Sequence, residues 1–335
     1  MADTRYVVDG VDYSCIYTNS FNTFTIVCGT IVFAFTIFGN VFIFTSLCKY
    51  REMFKGSLYI FIGNLALTDL LIGLAMFLML LEQIYRRLGE SWGFCMVKAL
   101  GVVLTFGCTI MTLTFIAVDR FMAVVFPLRH IVKTKRTKLF LGAVALSWVV
   151  CFLFMIPAII GMRRSEHVVC SPSAMFPKLI NYVGVTAVLI NIIVSGILHG
   201  IILWKIKAKT VEGSSPPRRK FTGKTLVMVL VFVLFVVCWL PFVITTLMLE
   251  TAAYSNVDHI MCVREYIIMP GYFNSSINWI VYGASNQKFR LAFKRLLTCK
   301  RCGDLPDSSY ITSTSSTQSQ ATREPVTRND TTCVS

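Results

Sequence analysis

The stretch "LYIFIGNLALTDLLIGLAMFLMLL" (residues 58–81) decides the fold, and its one charge is Asp69. About 20 consecutive apolar residues in a helix cross the roughly 30 Å hydrocarbon core of a bilayer, whereas a barrel strand needs only about 9–11. Lipid offers the backbone no partner, so each N–H and C=O must bond within its own helix or a closed barrel. Residues 58–81 therefore read as a membrane-spanning helix. The same pattern recurs at 24–48, 96–119, 139–161, 179–204, 225–249 and 266–283. The expectation is an all-α membrane protein, a bundle of seven transmembrane helices.

The composition agrees: of 335 residues, 55% are hydrophobic and 15% charged, with a mean hydropathy of +0.68. With the N-terminus outside, three quarters of the 32 Lys and Arg residues fall in cytoplasmic segments. That asymmetry is the one the positive-inside rule describes. The net charge of +15 is spread over loops between spans, which excludes a nucleic-acid partner. The expected organisation is an extracellular tail (1–23), the helical domain (24–283), a short amphipathic cytoplasmic helix (284–298) and a cytoplasmic tail (299–335). Residues 1–23 are polar and weakly acidic, so the first span is expected to act as an uncleaved anchor. The third inner loop is short and basic, and Pro216-Pro217 breaks any helix entering it. No internal repeat of the kind common in transporters is visible.

The 12 cysteines sort by compartment. Cys28, Cys48, Cys108, Cys151 and Cys238 fall inside spans and read as small packing residues. Cys95 and Cys170 lie on the outer, oxidising side and are candidates for a disulfide; Cys15 and Cys262 are candidates for a second. Cys299 and Cys302 follow the basic amphipathic stretch on the inner face and suit S-acylation.

Short motifs then follow in order, one per span or junction: "GNVFIF", "NLALTDLL", "DRFMAVVFPL", Trp148, "CWLP", "NSSINWIVY" and "NQKFR". Together they resemble the rhodopsin-like (class A) G-protein-coupled receptor family over about residues 24–298. The resemblance implies a plasma-membrane receptor that binds an extracellular ligand and activates heterotrimeric G proteins through an outward swing of the sixth span. A decoy or scavenger that binds without signalling is the nearest rival. A channel or transporter would line a pore with polar residues, and only Asp69 reads as deep within a span. An enzyme is not expected: His130, His167, His199 and His259 are scattered and form no catalytic or metal pattern.

An intramembrane carboxylate costs at least about 2.5–3.5 kcal/mol, so Asp69 is functional by default. The resemblance places it in a sodium pocket with Thr109, Asn274, Ser275 and Asn278 beneath the gating Trp239. A hard cation wants several oxygen ligands, which this set supplies with water. No covalent cofactor is expected. The resemblance makes Arg120, beside Asp119, the switch residue at the inner end of the third span. Phe121 stands where tyrosine is usual, and Phe221, Thr222 and Lys224 leave the inner end of the sixth span without an acid for an ionic latch, so raised basal activity is expected. Leu128, after Pro127, matches the apolar knob that enters the G protein. In the fifth span Asn191 and His199 stand roughly where the family has proline and tyrosine. Trp239 above Pro241 matches the toggle, since a proline frees a carbonyl and kinks its helix. In "NSSINWIVY", Asn278 and Tyr282 are kept, but Trp279 replaces the motif proline. A bend is therefore expected higher, at Pro270-Gly271, with Tyr282 still turning inward on activation.

Two ligand classes are excluded by resemblance. The amine-binding aspartate, eighteen residues before Arg120, is Val102, and an unpaired ammonium would be costly there. The retinal-binding lysine, six residues before Asn278, is Tyr272. The implied lining is apolar to weakly polar: Val102, Val103, Phe106, Trp239, Phe242, Thr246, Met269 and Tyr272. Arg86-Arg87 and Arg163-Arg164 face Glu82, Glu166 and Glu250 at the outer rim. These features suit either a lipid-like molecule or a short peptide, or are merely solvated loop charges. The stretch "NQKFRLAFKRLL" puts Phe289, Phe293 and Leu296 on one face and reads as an interfacial helix on anionic membrane lipids. The Ser/Thr-dense tail from Ser308 to Thr322 suits receptor kinases and arrestin.

Overall fold

The computed structural model describes residues 7–8, 11–126, 133–161, 169–211, 219–251 and 257–298, the side chains at 133–136, 173, 209–211, 219–222, 224 and 250 excepted. The chain divides into a body, Met1–Lys294, and a second unit, Arg295–Ser335. The spans are α1 (Asn19–Lys49), α2 (Ser57–Ile84), α3 (Trp92–Val125), α4 (Lys133–Ile160), α6 (Lys178–Val211), α7 (Arg219–Glu250) and α8 (Val257–Ser285). A single turn, α5 (Pro172–Met175), lies between α4 and α6, and α9 (Gln287–Leu297) follows the last span. The fifth, sixth and seventh spans are thus α6, α7 and α8.

Spans adjacent in sequence pack side by side except α4 and α6, and α8 returns to meet α1. Helix α3 runs through the middle, touching α2, α4, α6 and α7. The outward faces are apolar at helical spacing, with Val27, Ile31, Phe35 and Phe38 exposed on α1 and Ile190, Ile193 and Ile197 on α6. Continuous exposed apolar surface on this scale calls for lipid or a partner. Among the described residues, six helices are long and apolar enough to cross a membrane by length and composition: α1, α2, α3, α4, α6 and α7.

Helix α8 is the seventh span and the least apolar. Its outer turns carry Asp258, His259, Arg264 and Glu265, and its inner turns bury Asn274, Ser275, Ser276 and Asn278. Hydropathy placed its start at 266, yet it begins at Val257. Charge hid the outer turns, while tertiary contacts fix them. Cys262 is bridged to Cys15, and Met261 packs with Tyr13, Ile16, Phe21, Val169 and Ala174. The described part of the N-terminal segment is therefore tied to α8. It forms a small hairpin, β1 (Val7–Val8) with β2 (Val11–Asp12), and the Asp12 amide donates to Asp258 Oδ1 at 2.8 Å. The Thr18 hydroxyl caps α1 by accepting from the Phe21 amide.

Helix α9 corrects another expectation. Phe289 and Phe293 are buried, packing on protein rather than facing lipid. Phe289 lies against Phe54, Tyr59 and Tyr282, and Phe293 against Phe42. Lys288 donates to the Met53 carbonyl with its ammonium 5.6 Å from the Tyr59 ring centroid, and burial holds its pKa below the ordinary lysine value. The proposed acylation sites Cys299 and Cys302, and the tail, lie outside the described residues.

Trp279 is accommodated by a glycine. A Cβ built on Gly39 of α1 would lie 1.8 Å from Trp279 Cδ1, and Phe38 meets the indole edge-on at 5.6 Å. The "GN" of the first span thus has two uses on α8: Gly39 opens a hole for Trp279, and Asn40 Nδ2 donates to the Ser275 carbonyl at 3.0 Å. Gly39→Ala is expected to destabilise the purified protein by about 1–3 kcal/mol, the usual range for overpacking. Adding Trp279→Ala should recover most of that loss. Thermal unfolding of the four members of the mutant cycle checks this, and an unchanged melting temperature for Gly39→Ala would contradict it.

Candidate functional site

Between the helices lies a cavity of about 250 Å³ whose walls include Val102, Val103 and Phe106 from α3 and Trp239, Phe242 and Thr246 from α7. Six of the expected lining residues thus meet in one space. The other two, Met269 and Tyr272, line a neighbouring cavity of about 60 Å³ closer to α1 and α2. At the floor, Phe106 and Trp239 rings are 4.3 Å apart, and Tyr272 meets Trp239 edge-on at 6.2 Å. A Cβ on Gly271 would lie 2.8 Å from the Trp239 ring. The absence of that Cβ lets the indole rest on the α8 backbone one residue beyond Pro270.

Charge at the outer end was misjudged from sequence. Glu82 is not a solvated rim residue: it is 6% exposed and pairs with Lys98, one turn into α3 from Cys95. Lys98 also donates to the Cys170 carbonyl at 2.9 Å, and the Cys95–Cys170 bridge holds the same loop. Arg264, which sequence reasoning did not single out, is 3% exposed and lines the larger cavity. Its Nε donates to Thr246 Oγ1 at 2.9 Å, its Nη1 to Glu265, and its guanidinium lies 4.7 Å from the Phe242 ring centroid. Glu265 in turn accepts from Ser171 Oγ at 3.0 Å. Two buried ion pairs therefore border the cavities. Such a pair stabilises little overall, but removing one partner costs about 3–5 kcal/mol. A local signal existed: Lys98 sits inside an apolar run where a lone cation needs a partner. Arg86 sits nearer the surface, 5.9 Å from the Tyr17 ring centroid. Arg163, Arg164 and Glu166 lie outside the described residues, as does the Glu250 side chain.

Midway along α2, Asp69 is 1% exposed. Its Oδ2 accepts from Asn278 Nδ2 at 2.7 Å, and the Ser275 side chain lies near the same carboxylate. Thr109 donates to Thr68 Oγ1 at 3.1 Å instead of reaching Asp69. Asn274, one turn before Asn278 on α8, has a buried Oδ1 with no hydrogen-bond partner. A carboxylate, a hydroxyl and an unused carbonyl oxygen make a donor set that fits a small hard cation.

At the inner end, Arg120 Nε donates to Asp119 Oδ2 at 3.0 Å, and Ser57 Oγ donates to Asp119 Oδ1 at 3.1 Å. The α2 start thus orients the carboxylate that holds Arg120. Tyr282 is buried and stacks on Phe289 at 5.6 Å. His199 stacks on Phe232 at 4.6 Å, and Thr114 Oγ1 lies 3.2 Å from Asn191 Oδ1, joining α3 to α6. Trp148 Nε1 donates to Asn64 Oδ1 at 3.0 Å, tying α4 to α2. Leu128 lies outside the described residues.

Residues 39–282 match the family described as 7 transmembrane receptor (rhodopsin family). Among similar proteins, the somatostatin receptor type 4 of Rattus norvegicus is 27% identical over 281 residues, covering 79% of this chain and 70% of the relative. The neuromedin-K receptor of Oryctolagus cuniculus is 26% identical over 301 residues, covering 84% of this chain but only 62% of the relative. The somatostatin receptor type 2 of Mus musculus is 25% identical over 302 residues, covering 84% and 81%. With the seven helices, the buried Asp69–Asn278 pair and the Arg120–Asp119 pair in their expected spans, the match is continuous across the bundle. The chain is a multi-pass membrane protein and belongs to the rhodopsin family of seven-transmembrane receptors.

Proposed function

We propose that the chain is a cell-surface receptor for a short peptide, with its N-terminus outside, that activates heterotrimeric G proteins. One observation carries the choice of ligand. Apolar cavity walls lie beneath buried charges of both signs, Glu82 with Lys98 and Arg264 with Glu265. A peptide presents apolar side chains together with an amide backbone and charged termini, and so suits both layers. The relatives named for somatostatin and neuromedin-K, both peptides, support the same reading.

Signal transmission is read as follows. A ligand pressing on Phe106 and Trp239 displaces α7 about Pro241, whose missing N–H leaves a weak point in the helix. The inner end of α7 swings outward and frees Arg120 from Asp119 to meet the G protein. Helix α8 bends, if at all, at Pro270-Gly271, because its inner half is keyed to α1 through Trp279. A sodium ion held by Asp69, Ser275 and Asn274 would supply positive charge that keeps the Asp69 carboxylate ionised and the inner polar layer closed. The phosphorylated tail recruits arrestin after receptor kinases act, and Cys299 and Cys302 anchor the inner face by acylation.

Screening short peptides of mixed charge for stimulated nucleotide exchange in receptor membranes tests the reading. A stimulating peptide whose effect is abolished by Arg120→Ala, with binding retained, is the expected result. Binding without exchange in the unaltered receptor would instead make it a decoy. Missing the acidic latch on α7, the unliganded receptor should exceed mock-transfected membranes in basal exchange. Replacing choline chloride by sodium chloride should lower that basal rate, and Asp69→Asn should remove the sodium effect. Basal exchange at the mock level would contradict the latch argument.

A further inference from the structure

The larger cavity has a second set of walls that the peptide reading does not use. Val150, Cys151, Phe154 and Met155 of α4 face Gly184 and Val188 of α6 across it. Helix α4 leans on α2 and α3 rather than on α6, which leaves a gap between α4 and α6. Val150 lines the cavity and is also 44% exposed. Ala187 likewise lines it while facing outward. The cavity therefore opens sideways, at a level where the outside of the protein is lipid. Gly184 faces Phe154 across the opening, where a Cβ would just reach contact with the ring at 3.4 Å and any larger side chain would fill the space.

The chemistry of this arm is specific in one respect. Its walls are apolar except for two asparagines of α6: Asn191 is partnered by the Ala187 carbonyl and the Thr114 hydroxyl, whereas the buried Nδ2 of Asn181, near the start of α6, has no hydrogen-bond partner. A buried donor without a partner is costly and rare. Arg264, the cation bordering the cavity, is already committed to Glu265 and Thr246. A peptide cannot enter through hydrocarbon without stripping its backbone of partners. A single lipid chain can, and loses nothing in moving from lipid into an apolar slot.

We infer that the slot between α3, α4 and α6 binds one acyl chain of a membrane lipid with an uncharged, hydrogen-bond-accepting head, and that Asn181 donates to that head. The chain enters sideways between α4 and α6, runs past Cys151 and Val188, and ends near Met111 of α3. The slot is only one arm of a cavity whose whole volume is about 250 Å³, below the roughly 300–1,000 Å³ of drug-sized pockets, and so suits a narrow chain rather than a sterol plate. Because the same cavity reaches Phe106 and Trp239, an occupied slot stiffens the wall opposite the peptide and tunes the receptor from the membrane side.

The test uses the full-length receptor in lipid nanodiscs and a long-chain monoacylglycerol carrying a diazirine in its acyl chain. Irradiation followed by mass-spectrometric mapping should show saturable labelling concentrated on the α3, α4 and α6 walls. Gly184→Trp should abolish that enrichment. Asn181→Leu should weaken competition by unlabelled monoacylglycerol about tenfold, the loss of one good hydrogen bond, while leaving labelling by a diazirine alkane unchanged. The alkane arm separates loss of the head contact from loss of fold. Labelling spread evenly over outward residues such as Ile31, Leu146 and Ile193, or unchanged in both variants, would overturn the inference. The readout needs no G protein, so its failure and failure of the peptide reading are separate results.

Discussion

The close approach of α8 to its two neighbours is the constraint on which the rest depends. On one side Trp279 fills the hole over Gly39 of α1, and on the other Trp239 of α7 rests on Gly271. Lipid is as apolar as the side chains it touches, so helices in a bilayer associate through close packing and buried polar contacts rather than through hydrophobic burial. Two glycines supply the packing, and the polar contacts lie between them. Asn40 reaches the Ser275 carbonyl and Asn278 reaches Asp69. Helix α8 is thereby held as the wall shared by the cavity and the inner polar layer, although it is the least apolar span.

The two tryptophans do different work because their glycines lie on different helices. Trp239 belongs to α7 and stands on the cavity floor against Phe106 and Tyr272, so whatever fills the cavity presses on it directly. Trp279 belongs to α8 and faces away toward α1 and Phe38. In the proposed signalling, one transmits and the other anchors. This division explains how the chain keeps the receptor architecture with tryptophan at a position where the family has proline. The loosening that proline would give the inner half of α8 is absent, and Pro270 leaves the remaining weak point beside Gly271.

Much of this was legible in the sequence, and the misses have a common cause. Spans fixed by continuous apolar runs, such as 58–81, were placed within a few residues, because desolvation of the backbone leaves a helix no alternative. Asp69 stood out for the same reason. What hydropathy could not reveal was charge neutralised by tertiary partners. Lys98, Glu82, Arg264 and Glu265 each read as surface residues or passed unremarked, and the outer turns of α8 were lost with them. Glu82 and Lys98 meet across α2 and α3, and the adjacent Arg264 and Glu265 are buried by contacts to Thr246 and Ser171 of other elements, so the sequence shows the charges without showing what covers them. The α9 face of Phe289 and Phe293 was found, but its target was not. A helix period shows which side is apolar without showing whether lipid or protein covers it.

The central claim is that α7 moves while the inner half of α8 stays with α1. Spin labels at Lys49 on α1 and Leu226 on α7, and in a second sample at Lys49 and Ala284 on α8, report both distances by double electron–electron resonance. These positions are exposed at the inner ends of their helices. On adding a coupled, nucleotide-free G-protein heterotrimer, the α1–α7 distribution should gain a longer component while the α1–α8 distribution keeps its mean and width. Movement of α8 away from α1 together with α7 would contradict the account.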